Sequence, residues 1–172
     1  MRQDVMGWAP AEGSTAISNN SIMNLAMFIH GEWHEGGGAR LEVVNPATAA
    51  LLATIPDGGR ADLDKAVDSA RRGLAVWRDT HPRVRAQVLY RIAETVKARA
   101  QEFAGLDSLN LGESIGTGLW TMNDVVARRF EYYAGMARLV YGRSPVLGPD
   151  VTAVVLREPV GVVAVITPWN WP

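Results

Sequence analysis

The chain contains no cysteine, which excludes disulfides, thiolate metal sites and a thiol nucleophile within these residues. Long apolar runs are missing as well. A membrane-spanning helix needs roughly 20 apolar residues, and the longest candidate, residues 160–166, reaches about a third of that. Charge of one sign is not in excess: 17 basic and 18 acidic residues leave a formal charge of -1, so no broad field favours nucleic acid or an anionic membrane. Internal repeats, heptad runs and low-complexity blocks do not occur. Residues 1–26 carry one early Arg but no continuous apolar segment of signal-peptide type, and residues 14–24 are rich in Ser and Asn. They are expected to form a disordered or strand-swapped tail on a cytoplasmic protein.

What is present suffices for a real core, since 48% of the 172 residues are hydrophobic and 20% charged, within the usual size of one domain. From residue 27 the pattern is a β-meander of three strands. Phe28-Ile29-His30-Gly31-Glu32-Trp33 is followed by the Gly36-Gly37-Gly38 turn and by Leu41-Glu42-Val43-Val44. The Asn45-Pro46 turn then leads to Leu51-Leu52-Ala53-Thr54-Ile55, closed by Pro56-Asp57-Gly58-Gly59.

The period then changes. Leu63, Ala66, Val67, Ala70, Leu74 and Trp77 recur at spacings of three and four and predict a helix ending near Asp79. Thr80, with Pro82 in the first turn, opens a second helix whose stripe of Val88, Leu89, Ile92, Val96 and Phe103 carries it to about Leu109. Leu119, Met122, Val126, Phe130, Tyr133, Ala137 and Val140 mark a third, stopped at Gly142. Residues 143–157 combine a turn-rich link with strand character and predict a hairpin. Residues 160–166 lack any polar side chain, are rich in β-branched residues and follow the Glu158-Pro159 break, the pattern of a strand buried on both faces. An open α/β sheet builds its ligand crevice at the carboxyl end of such a strand.

Asn170 stands at that end, between Trp169 and Trp171. By itself, Asn before Trp-Pro reads as a turn residue that bonds its own backbone, and Trp171 reads as a core anchor. His30 and His34 with Glu32 and Glu35 invite a zinc site, but residues four apart in a strand lie about 13 Å from one another, so no metal site is expected. Tyr132 and Tyr133 belong to helix packing. The arginines at 71, 72, 78, 128 and 129 are solvated helix faces.

Taken in order, Phe28-Ile29-His30-Gly31-Glu32-Trp33, Asn45-Pro46-Ala47-Thr48, Trp77, Tyr132-Tyr133-Ala134-Gly135 and Glu158-Pro159-Val160-Gly161-Val162-Val163 running into Pro168-Trp169-Asn170 resemble the amino-terminal portion of the NAD(P)-dependent aldehyde dehydrogenase superfamily. The resemblance covers residues 27–172, and its terminal block is the specific part. It implies an α/β chain in which residues 27–142 are the amino-terminal part of a cofactor-binding domain, a β-meander plus three helices. Residues 143–157 would be an oligomerisation hairpin, and residues 158–172 the first strand and active-site loop of a Rossmann-like parallel sheet.

It further implies that Ile166, Thr167, Pro168 and Trp169 line a cleft for NAD or NADP, and that Asn170 is the amide that stabilises an oxyanion when a cysteine thiolate attacks an aldehyde. Hydride transfer would leave a thioester for water to cleave. The family's Cys, its Glu base, its Gly-rich loop and its ribose-binding Lys follow the matching Asn and are not in this sequence, so the chain alone is expected to be inactive. A dimer or tetramer of intact subunits, with a small aldehyde as substrate, is the implied working form. Two other readings stand beside this one: a fragment of a coenzyme A-acylating relative, and a non-catalytic interaction fragment working through its hairpin. Three departures from the family pattern matter. Asn110 and Glu113 stand where an acidic residue and a Lys are common, so no structural monovalent cation is expected, and Ala49 follows the Asn-Pro-Ala-Thr turn where Gly is usual.

Overall fold

The computed structural model describes residues 23–171. Most of the expected tail lies outside them. Its last part does not behave as a tail: β1 (Met23–Asn24) pairs in parallel with β5 (Leu51–Pro56), opposite Ala53 and Thr54. The meander is also corrected. Its first strand folds back on itself as a hairpin of β2 (Met27–Ile29) and β3 (Glu32–His34). The two turn residues, His30 at φ 58° and Gly31 at φ 83°, are both left-handed, as tight hairpin turns of the I′ kind require. The second sheet has the order β1-β5-β4, with β4 (Arg40–Val44) antiparallel to β5.

Arg40 fastens this sheet. Its guanidinium donates to the carbonyls of Leu25 (2.7 Å) and Thr54 (2.9 Å) and to Thr54 Oγ1 (2.9 Å), and pairs with Glu35 (2.7 Å). One side chain thereby ties the parallel strand to the antiparallel pair. In the β4–β5 turn Asn45 Oδ1 accepts from the Ala47 amide at 2.8 Å, and Ala49 sits at φ 58°. Alanine here holds the left-handed conformation for which the resemblance supplies glycine, at a cost of about 1–2 kcal/mol.

Helix α1 (Arg60–Asp79) matches the expected periodicity, but its apolar stripe is poorly covered: Leu63 and Trp77 are exposed. Its first turn is fixed by Asp62, 6% exposed, whose Oδ2 accepts from the amides of Gly59 (3.2 Å) and Gly37 (3.1 Å). The long second helix divides. α2 (Pro82–Ala98) stops at Arg99, whose φ of -111° and ψ of 16° leave the helical range, and α3 (Ala100–Leu111) follows. The cap of α2 is His81, whose Nδ1 accepts from the Arg83 amide at 3.1 Å. Thr80, the expected cap, instead donates its hydroxyl to the Val76 carbonyl at 2.8 Å. Gly112, at φ 82°, closes α3 in the left-handed geometry usual after a helix.

The third expected helix comprises α4 (Ile115–Trp120), a π-helical turn at Thr121–Val126 and α5 (Ala127–Met136). It ends before Gly142, which serves the hairpin instead: a Cβ there would lie 2.6 Å from the Val155 carbonyl oxygen. Among the described residues the buried apolar set is Ala53, Ala86, Ala93, Ala100, Ala104, Ala127 and Ala134. Ala86 and Ala93 on α2, like Ala127 and Ala134 on α5, are two turns apart, so both helices present small residues along one line and pack closely. Among the described residues no large side chain is fully buried.

Candidate active-site segment

Residues 143–157 form a narrow hairpin. Arg143 and Val155 exchange backbone hydrogen bonds of 3.0 and 2.7 Å, Val146 bridges to Thr152, and Ser144 Oγ donates to the Ala153 carbonyl at 3.0 Å. Beyond it the sequence-based picture needs correction. Residues 160–166 form no strand and pair with none among the described residues, and they are open rather than buried, with Val160 95% and Ile166 94% exposed. An apolar strand is buried on both faces only when sheet neighbours and covering helices flank it. Here β1, β4 and β5 form a separate sheet and none lies beside residues 160–166.

The expected site residues are therefore contiguous in sequence but not enclosed. Ile166, Thr167 and Pro168 lead into a turn at Trp169 and Asn170; Trp169 is 95% exposed, Asn170 is exposed, and the Asn170 amide makes no hydrogen bond among the described residues. Two surface grooves lie elsewhere, one between α2 and α5 and one beside the first turn of α1. What the segment offers is a neutral amide with two N–H donors, beside an exposed indole, at the end of a run with no backbone hydrogen bond among the described residues.

The histidines behave differently from the straight-strand argument, because the turn at His30 and Gly31 folds that segment. His34 Nε2 lies 3.3 Å from the Ile29 carbonyl oxygen and His30 Nδ1 3.4 Å from Ser69 Oγ. No group of three potential metal ligands occurs among the described residues.

Titration is perturbed away from the carboxyl-terminal segment. The Gly37 amide, assisted by that of Gly59 and by the charges of Lys65 and His34, holds the Asp62 carboxyl below the ordinary aspartate value, against the opposing effect of burial. Arg99 holds Glu102 down through a charge-assisted hydrogen bond. Burial pushes the Asp107 carboxyl up. The long-range contacts of Asp62 and Arg40 have no local sequence signature, because Gly37 lies 25 residues from Asp62, and Leu25 and Thr54 lie 15 and 14 from Arg40.

The ordered landmarks and this architecture define a class. Residues 33–172 match the model of the aldehyde dehydrogenase family, and the chain belongs to that family. It is 40% identical over 162 residues to aminoaldehyde dehydrogenase 2 of Zea mays, covering 88% of this chain and 32% of the relative. It is 35% identical over 156 residues to betaine aldehyde dehydrogenase of Bacillus subtilis, covering 87% and 31%. Among solved structures, an NAD-dependent aldehyde dehydrogenase from Sinorhizobium meliloti superposes with a TM-score of 0.83 at 30% identity, covering 88% of this chain and 31% of that one. The chain thus spans about a third of the length of the relatives it matches. Names among the relatives include chloroplastic and peroxisomal forms, and no helix among the described residues is long and apolar enough to cross a membrane.

Proposed function

We propose that this chain is the amino-terminal part of an NAD(P)-dependent enzyme that oxidises an aldehyde to a carboxylic acid, with Asn170 as the donor that stabilises the reacting oxygen. The observation that carries the reading is the block from Glu158 to Asn170 lying inside the family match. Ile166, Thr167, Pro168 and Trp169 would form the wall that holds NAD or NADP, a group that would supply the hydride acceptor. The Asn170 amide donates to the carbonyl oxygen as negative charge develops there, and because the amide is neutral its donor capacity does not titrate. The backbone of residues 160–166, which makes no hydrogen bond among the described residues, is free to take parallel strands on its two sides.

The names of the relatives support an aldehyde bearing an amino or quaternary ammonium group. A thiol nucleophile must come from outside these 172 residues, which hold no cysteine. The hairpin of residues 143–157, with Val146, Leu147, Val154 and Leu156 exposed, is the edge through which intact subunits form a dimer or tetramer.

Incubated alone with betaine aldehyde and NAD, the purified chain is expected to give no NADH. In an active assembly that contains this chain, Asn170→Ala is expected to lower kcat about a hundredfold or more. Turnover by the chain alone, or full activity of the Asn170→Ala assembly, would refute the reading.

A further inference from the structure

A groove of about 480 Å³ runs between α2 and α5, remote in sequence from residues 166–170. Its floor is small: Ala86 and Ala134 are buried, and a Cβ added at Gly135 would meet nothing within 4 Å. Tyr90 and Tyr141, both exposed, line it. Arg83 on α2 and Arg138 just beyond α5 complete it, and no acidic residue lines it. Neither guanidinium has an ion-pair partner among the described residues, which is also true of Arg72, Arg91 and Arg129; of these five, Arg83 and Arg138 are the two that line the groove. The Tyr132-Tyr133-Ala134-Gly135 landmark supplies the floor without any part in the chemistry at Asn170.

We infer that this groove is a binding site for a small planar aromatic phosphomonoester. Guanidinium forks match phosphate oxygens bidentately and gain most where no carboxylate competes. Tyrosine rings give a flat ligand apolar faces and a polar edge. The volume falls within the roughly 300–1,000 Å³ typical of small-ligand sites, and the opening left at Gly135 admits a ring edge down to the helix backbone. A bare inorganic anion would use the two arginines and leave the aromatic walls and floor unfilled, so ring and phosphate are both required.

The test is calorimetric titration of the 172-residue chain with phenyl phosphate, inorganic phosphate and phenol. Saturable phenyl phosphate binding is expected, at least tenfold tighter than either component. Arg83→Gln and Arg138→Gln are each expected to weaken it about tenfold, the size of one lost charge-assisted contact. Gly135→Leu, which fills the floor while keeping both charges, should abolish it; Gly135→Ala, a smaller plug, should weaken it if the leucine variant does not fold. Trp169→Ala should leave it unchanged, which separates this site from the cofactor wall. Absence of saturable binding, equal binding of inorganic phosphate, indifference to both arginine variants, or loss in Trp169→Ala would each overturn the inference.

Discussion

Asp62 shows how much a single side chain can organise. Its carboxylate joins the Gly36–Gly38 loop to the first turn of α1 through two backbone amides, the side-chain half of a capping interaction, placed where the helix dipole also favours negative charge. Because its folded pKa lies below the ordinary value, the native state binds this proton less readily than the unfolded chain. The stabilisation is therefore complete above the ordinary aspartate pKa and disappears as pH falls through the lowered one. Asp62→Asn is expected to reduce Tm at neutral pH and to flatten the acid limb of a Tm-against-pH plot; an acid limb identical to the parent's would refute this. The sequence could not reveal this contact, since Gly37 and Asp62 are 25 residues apart. Asn170, by contrast, was legible because the residues around it are distinctive as a string, although its surroundings were not.

At the scale of elements, periodicity located the helical regions of the described residues but not the joints between them. The stripes over residues 63–77, 88–103 and 119–140 identified the helical regions. The break at Arg99 and the π-helical turn left the apolar spacing nearly intact and so gave no signal. The hairpin of β2 and β3 was missed for a related reason: His30-Gly31 is a weaker turn marker than Asn-Gly or Asp-Gly. Packing between elements depends on small residues. A Cβ at Gly118 would lie 3.0 Å from the Cβ of Ala104, so α3 and α4 meet where neither can grow. Gly118→Val is expected to destabilise the chain by about 1–3 kcal/mol through overpacking, read as a lower urea midpoint. A variant as stable as the parent would show that the two helices can separate without cost.

For the molecule as a whole, the family assignment and the exposed apolar surface belong together. Leu139, Val140 and Tyr141, the hairpin, and residues 160–171 leave a contiguous stretch of chain with its valines, leucines and tryptophans open, far beyond the scattered exposure of an ordinary surface. The chain in isolation is expected to self-associate and to bind a hydrophobic dye, measured by light scattering behind size exclusion; a sharp monomeric peak with cooperative melting would refute this. Fold class and family were readable because the landmarks occur in order. The burial of residues 160–166 was not, because burial depends on neighbours that a strand's own composition cannot supply. The alanine core also sets the calorimetric character of the molecule. With its larger side chains, such as Leu89, Ile92, Val96 and Phe103, covered in part and none fully enclosed among the described residues, unfolding exposes less apolar surface than in a chain with a closed core, so the heat-capacity increment is smaller. Its denaturant slope is correspondingly shallow, and warming loosens it over a broad interval in place of a sharp transition.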